Sequence, residues 1–117
     1  MSRAQIVGFA SAWCSAHPDD RASARDAPVD RERTLAYWCA RLAPLHGRDA
    51  HFVCADRVGR EPRAALDPDR YADGEIQFCG CSCVLSLREP ALVAALDDRE
   101  EGVLIADIPV SAERAPD

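Results

Sequence analysis

The sequence predicts an α/β fold, a mixed β-sheet with a flanking helix and antiparallel C-terminal strands. Short apolar runs bounded by Pro, Gly and Asp indicate the strands. One stretch, residues 30–43, has apolar side chains at helical spacing, namely Leu35, Trp38, Cys39 and Leu42. The order of these elements is strand, loop, helix, strand, loop and then three strands. This order is typical of half of a layered α/β sheet.

The strands are predicted at residues 4–10, 51–56, 81–87, 91–96 and 102–108. The last two flank a short charged turn, so they are predicted to pair as a β-hairpin. Residues 11–29 and 59–74 are rich in Pro, Asp and Arg, which indicates surface loops. Asp30 is predicted to cap the helix and Pro44 to end it. Residues 1–110 are predicted to form one partial domain, followed by a polar tail at residues 111–117.

Composition excludes several classes of partner. The 117 residues carry a net charge of −6, and an acidic surface repels phosphate backbones, so nucleic-acid binding is not expected. No apolar run approaches the ~20 residues that a membrane span needs. Nothing near the N-terminus resembles a signal peptide, so the six cysteines are expected to be reduced in the cytoplasm or another reducing intracellular compartment. No cofactor is expected.

Three of the cysteines, Cys79, Cys81 and Cys83, alternate along the sequence. On a strand they would lie on one face about 6.8 Å apart, which is too far for one tetrahedral zinc centre. We therefore expect them to pack as small apolar side chains, with no metal site. Cys14, which follows Trp13, is interpreted as a loop residue without a role rather than as a nucleophile.

The histidines show no ligand-like spacing, so His17, His46 and His51 are predicted to be solvated or to cap helices.

Two motifs connect the chain to a known family. Asp56-Arg57-Val58-Gly59 resembles the Asn-Arg-x-Gly turn of the carbon–nitrogen hydrolase (nitrilase) superfamily, with Asp in place of the usual Asn. Gly80-Cys81-Ser82 resembles the Gly-x-Ser step that follows it. Residues 4–13, 34–45 and 101–108 are similar to the strand after the nucleophile, the next helix and the closing strand. The resemblance implies the C-terminal half of a nitrilase-type αββα sandwich.

Within that superfamily the chain is most similar to protein N-terminal amidases. The similarity lies in the Tyr37-Trp38 helix that ends in Arg-Leu-x-Pro-Leu, in Arg-x-Gly-x-Glu, and in Gly-x-Ser-x-Val-Leu. Those enzymes deamidate N-terminal Asn or Gln, which creates an N-terminus that a degradation pathway recognises. The family uses a Glu base, a Lys that stabilises the oxyanion and a Cys nucleophile. This chain contains no Lys, and the three family positions precede every matched segment, so no catalytic residue is expected here.

The resemblance implies roles for seven residues. Trp13 and Ala12 are candidates for the substrate pocket. A structural motif is expected from Asp56, Arg57, Gly59, Gly80 and Ser82. In the family this turn packs near the core of the sandwich, so a buried ion pair is the favoured interpretation of Arg57, and contact with substrate is the alternative.

The resemblance also implies partners. These are the missing N-terminal half of the domain, protein or peptide N-termini as substrates of the whole enzyme, and further copies of the chain that pair with the open edge of the strand at residues 4–10. The alternative hypothesis is a non-catalytic remnant that acts as a structural or interaction module. A cysteine-rich metal module is a more distant third.

Overall fold

A computed structural model describes residues 4–14, 31–65, 67–70 and 74–111. The helix and strands, in chain order, are β1 (Ile6–Ser11), α1 (Arg31–Arg41), β2 (His51–Asp56), β3 (Arg60–Pro62), β4 (Glu75–Gln77), β5 (Cys83–Ser86) and β6 (Ala91–Ala95). Single 3-10 turns lie at Ala43–Leu45 and Arg63–Ala65. No helix in the described segments is both long and apolar enough to cross a membrane.

The main sheet has four strands in the order β1-β2-β5-β6. β1 and β2 are parallel, whereas β2–β5 and β5–β6 are antiparallel pairs. A second, two-stranded sheet joins β3 to β4. The prediction of a mixed sheet with one flanking helix and an antiparallel end is therefore confirmed.

Helix α1 covers one face of the main sheet with its apolar side. Trp38 is buried and contacts Phe9 of β1 and Phe52 of β2, each with ring centroids 6.4 Å apart and close to edge-on. Leu35 and Leu42 are half-buried and pack against the same cluster. The predicted helical face is confirmed, since aromatic edge-to-face pairs and apolar burial both favour this packing.

Helix α1 ends at Arg41, shortly before Pro44, which was predicted to end it. Pro44 lies in the 3-10 turn just after the helix, where its missing N–H does no harm. The ring of His46 donates a hydrogen bond to the carbonyl of Cys39 at 3.0 Å, which is the capping role predicted for it. Asp30, His17 and most of the predicted loop at residues 11–29 lie outside the described residues.

The alternating cysteines are buried, as expected, but not as three neighbours on one strand. Cys83 alone of the three belongs to β5, and Cys81 has a left-handed backbone with φ 59°. The strand predicted at residues 81–87 therefore begins two positions late. Cys79, Cys81 and Cys83 are all at most 3% exposed, and Cys81 and Cys83 belong to the core cluster together with Cys54.

The predicted hairpin between residues 91–96 and 102–108 is wrong. β6 pairs with β5, and its ladder continues beyond the strand, because Leu96 N–H donates to Ser82 O and Cys81 N–H donates to Asp97 O. Through these bonds residues 96 and 97 stay beside the segment that precedes β5, and the chain after them does not pair with β6. Residues 102–108 belong to no strand.

Two other predictions need correction. The stretch from 59 to 74, predicted as a loop throughout, contains β3 and a 3-10 turn because residues 60–62 pair with β4. His51 is 7% exposed and is therefore buried rather than solvated. It is the first residue of β2, the strand that lies between β1 and β5 in the sheet.

Trp38→Ala is expected to lower the free energy of unfolding by about 3–5 kcal/mol, because it removes the contact that joins α1 to both β1 and β2. Ala40→Ser, at an exposed position of the same helix, should change it by no more than about 0.5 kcal/mol. Urea unfolding followed by circular dichroism measures both. Equal effects of the two changes would mean that α1 does not pack on this sheet.

Candidate functional site

The parallel strands β1 and β2 end at the same edge of the sheet, and open α/β sheets bind ligands at the carboxyl ends of their strands. Three segments meet at this edge, residues 11–14, 56–59 and 78–82. We call them the strand-end junction. All five residues of the predicted structural motif and both pocket candidates lie in it.

Backbone hydrogen bonds join the three segments. Arg57 N–H donates to Ser11 O at 3.1 Å, and Gly80 N–H donates to Arg57 O at 3.0 Å. Cys79 N–H donates to Trp13 O at 2.8 Å, and Phe78 N–H donates to Gly59 O at 2.9 Å. Loops of this kind have no ladder of their own, so these bonds determine how the chain leaves each strand.

Asp56 and Ser82 bind each other in both directions. The Asp56 N–H donates to Ser82 Oγ at 2.9 Å, and the Ser82 hydroxyl donates to the Asp56 carbonyl at 3.2 Å. Asp56 also reaches β1, because its Oδ1 accepts the Trp13 N–H at 2.8 Å. One residue thus ties the ends of β1 and β2 to the segment that leads into β5.

The Asp56 carboxyl group is nearly buried, and its Oδ2 atom has no hydrogen-bond partner among the described residues. Burial raises the pKa of this carboxyl above its ordinary value, although hydrogen bonds from the Trp13 backbone, the Ser11 side chain and the Arg57 backbone oppose the effect. An Asn, which the superfamily motif usually has here, would present the same acceptor to Trp13 without a charge.

Gly80 occupies a position that only glycine fits. Its φ is +57°, and a Cβ added to it would lie 2.5 Å from the carbonyl oxygen of Asp98 and 2.8 Å from Val58. The segment after β6 therefore passes directly over Gly80. The glycine of the Gly-x-Ser step is required by this close approach of two backbones as well as by the left-handed turn.

Arg57 forms an ion pair, but the pair is not buried. Its guanidinium contacts Glu61 and lies over the ring of Phe78, 4.7 Å from the centroid. The Arg57 side chain is 53% exposed, so the predicted buried ion pair is wrong in its burial. The residues after Asp56 lead into β3, which pairs with β4 in the separate two-stranded sheet and not with the main sheet.

The pocket candidates lie on the outer side of the junction. The Trp13 ring is 36% exposed and packs on Tyr37 of α1, with centroids 5.5 Å apart. Ala12 is exposed beside it. In the described part of the chain a cavity of about 200 Å³ lies between α1 and β5–β6, and another borders Val58 and Asp98. Neither of them includes Ala12 or Trp13.

The chemistry of the described site lacks an activated nucleophile. Cys14 is exposed and forms a β-bridge with Phe78, but no hydrogen bond within the described residues joins its thiol to a base. Burial raises the pKa of Cys79 to about 11 and that of Cys81 to about 12, so both stay protonated at neutral pH. No group of three or more His, Cys, Asp or Glu side chains in the described segments is placed to hold a metal ion.

Cys54 and Cys83 lie opposite each other on β2 and β5, and their thiols share a hydrogen bond. That bond raises the pKa of Cys54 and lowers that of Cys83. Both side chains are at most 3% exposed, so neither thiol can meet a substrate in this structure. Sequence spacing had not indicated this pair, because it depends on the register of two strands that are distant in the chain.

No family model and no curated protein matches this sequence. Among solved structures, a carbon–nitrogen hydrolase from Helicobacter pylori G27 matches with a TM-score of 0.50 and 20% sequence identity. The fold is similar to part of a carbon–nitrogen hydrolase. The match covers 83% of this chain but 29% of that protein, so the chain spans less than a third of its length. The fold class predicted from the motifs is thereby confirmed, whereas N-terminal amidase activity stays a prediction.

Asp56→Asn is expected to raise the free energy of unfolding at pH 7 by about 1 kcal/mol, because it removes a buried charge with an unsatisfied oxygen. The raised pKa means that protonation favours the folded state, so the native chain should gain stability as the pH falls toward the ordinary Asp value of 3.8. The difference in free energy of unfolding between Asp56→Asn and the native chain should shrink as the pH falls over the same range.

Urea unfolding of both proteins between about pH 4 and 8 measures the difference. The isosteric change Asp107→Asn, at an exposed carboxylate, serves as the control and should show little pH-dependent difference. A variant that is less stable than the native chain at neutral pH would show that the carboxylate charge is favourable here.

Gly80→Ala is expected to lower the free energy of unfolding by about 2 kcal/mol or more. Alanine is strained at a left-handed φ, and its Cβ would also clash with the carbonyl oxygen of Asp98. Gly102→Ala is the matched control, because a Cβ there meets nothing within 4 Å and its φ is not in the left-handed region. Thermal unfolding of the two variants tests the close approach. A Gly80→Ala protein as stable as the control would contradict the passage of residues 97–98 over the junction.

Proposed function

We propose that this chain is the C-terminal part of an amidohydrolase that acts on non-peptide C–N bonds, with N-terminal Asn or Gln of proteins as the substrate class. The observation that carries the proposal is the similarity of its fold to part of a carbon–nitrogen hydrolase, together with the Asp-Arg-x-Gly and Gly-x-Ser motifs at its strand ends.

In this proposal the chain supplies structure rather than the reacting groups. All 14 of its Lys and Arg residues are Arg, so an oxyanion-stabilising lysine must come from another segment, as must the Glu base and the Cys nucleophile. Removing a single donor to an oxyanion typically lowers kcat by about 10²–10³-fold. The chain by itself is therefore proposed to be inactive.

The contribution proposed for the strand-end junction is to position Trp13. Its backbone is held on both sides, at N–H by Asp56 and at C=O by Cys79, while part of its ring stays exposed. A large apolar surface held in this way can form one wall of a pocket for a substrate side chain or peptide end. The other walls, in this proposal, come from the missing N-terminal half of the domain.

The alternative is a structural or interaction module without any catalytic partner. It is favoured by the exposed apolar side chains outside the junction, among them Ile6, Leu92, Val103 and Ile105. A large exposed apolar surface typically marks contact with another polypeptide. The two proposals differ in one respect, which is whether supplying the three catalytic residues restores hydrolysis.

The experiment is a chimera in which residues 4–111 replace the corresponding part of a carbon–nitrogen hydrolase that carries its own Glu, Lys and Cys. Peptides with N-terminal Asn or Gln are the substrates, and ammonia release is the measurement. We expect turnover by the chimera and none by the chain alone, with Cys14→Ala as the background control for the latter.

Within the chimera, Trp13→Ala should lower kcat/KM by about tenfold or more, because it removes a positioning surface. Ile6→Ala, an exposed apolar residue at the other end of β1, should leave it unchanged. A folded chimera that cleaves no amide would contradict the enzymatic proposal and favour the structural alternative. Turnover by the isolated chain above the Cys14→Ala background would contradict the proposed inactivity.

A further inference from the structure

Cys54 and Cys83 occupy facing positions on two neighbouring strands of the main sheet. They are register partners in the antiparallel ladder of β2 and β5, and each is at most 3% exposed. Leu87 N–H donates to Ala50 O at 2.9 Å in the same register, so every second pair counted from it, Cys54–Cys83 included, is a hydrogen-bonded pair. The Cα atoms of such a pair lie about 5.5 Å apart, which is within the spacing most common in disulfides.

The hydrogen bond that the two thiols share makes them chemically unequal. Cys54 keeps its proton and donates it to Cys83 Sγ, which raises the pKa of Cys54 and lowers that of Cys83. The positive charge of Arg31 lowers the pKa of Cys83 further, although burial opposes both effects. A thiolate is the nucleophilic form of cysteine, so Cys83 is suited to attack an electrophile first and Cys54 to attack second.

We propose that Cys54 and Cys83 form a redox-active pair, which hydrogen peroxide converts to a cross-strand disulfide. The Cys83 thiolate attacks one peroxide oxygen, the O–O bond breaks, and the departing hydroxide takes up the proton that Cys83 had lost, giving water. Cys54 then attacks the sulfur of the Cys83 sulfenic acid, the S–O bond breaks, and hydroxide leaves with the Cys54 proton as a second water. The two thiols lose two electrons to the peroxide, and a dithiol reverses the change.

A disulfide suits this buried position better than a bound metal ion does. A soft ion held by both sulfurs needs two thiolates, which places charge in a cluster of apolar side chains such as Phe52 and Leu85, whereas the disulfide is uncharged. The neighbouring thiols are less well placed to react. Cys81 Sγ donates to the carbonyl of Cys79 at 3.2 Å, and burial raises the pKa of both of these cysteines.

The disulfide closes a loop of chain, residues 55–82, that contains two of the three segments of the strand-end junction. A crosslink of this kind lowers the conformational entropy of the unfolded chain, so the oxidised protein should unfold at a higher temperature. Burial determines which oxidants act on the pair. A small uncharged peroxide reaches the sulfurs through a slight local opening of the sheet, whereas a larger charged disulfide needs a wider and rarer opening.

Oxidation of the full chain with hydrogen peroxide, in a Cys14→Ala background that removes the exposed thiol, tests the proposal. We expect the loss of two thiols, counted with a maleimide after unfolding, and a rise in Tm of about 5 °C or more that dithiothreitol reverses. Cleavage after arginine places the two cysteines in separate peptides, residues 49–57 and 71–88, and fragmentation of the linked peptides should locate the bond at Cys83. Oxidised glutathione at equal concentration should act about tenfold more slowly or less.

Cys81→Ala is the matched control, because Cys81 is buried in the same core cluster but lies outside the β2–β5 ladder, so the bond should still form. Cys54→Ala removes the second thiol, and Cys83 should then proceed to the sulfinic acid, which a dithiol does not reduce. Free thiols at both Cys54 and Cys83 after peroxide treatment of the folded chain would overturn the proposal, as would equal yields of bonds from Cys54 to Cys79 or Cys81. None of these results depends on amidase activity.

Discussion

The reciprocal hydrogen bonds between Asp56 and Ser82 are the interaction on which the rest of this structure depends. They join the end of β2 to the residue just before β5, beyond Cys54 and Cys83, the last pair of the β2–β5 ladder. The carboxylate of Asp56 extends the same contact to the backbone of Trp13 after β1. Three chain segments thus leave the sheet in defined directions because one side chain and one hydroxyl satisfy their backbone groups.

That arrangement leaves one oxygen of the buried Asp56 carboxyl group without a hydrogen-bond partner among the described residues. Cys54, Cys81 and Cys83 belong to the buried core cluster and offer only weak hydrogen-bonding groups, and Asp56 Oδ2 has no hydrogen-bond partner among the described residues. The same small thiols let β5 and the segment at residues 80–82 lie close to β2. Close packing of backbones and full satisfaction of the carboxylate are therefore in conflict, and the raised pKa of Asp56 is the electrostatic consequence.

One face of the main sheet is covered, whereas its edges are open within the described residues. α1 covers one face through Trp38, whereas β1 and β6 are edge strands and residues 102–110 stay unpaired within the described chain. A pocket at Trp13 with walls from this chain alone would need more elements around the strand ends than the described segments provide. Similarity to 29% of a carbon–nitrogen hydrolase is consistent with that geometry.

Local patterns in the sequence determined the elements, because they depend on neighbours in the chain. Helical spacing was enough to predict the face of α1, apolar runs were enough for β1, β2 and β6, and the glycines at 59 and 80 marked turns that are left-handed in the structure. The two motifs also indicated which residues would lie at the strand ends, since parallel strands end at a common edge.

Only the tertiary structure decided what those patterns leave open. Residues 102–108 have the composition of a strand, yet whether they pair depends on Asp97 and Asp98 packing over Gly80 and leading the chain away from β6. The exposure of Arg57, the Cys54–Cys83 contact and the orphan oxygen of Asp56 have the same origin. Each depends on the register and close approach of segments that are far apart in sequence, and such approaches are set by packing rather than by local propensity.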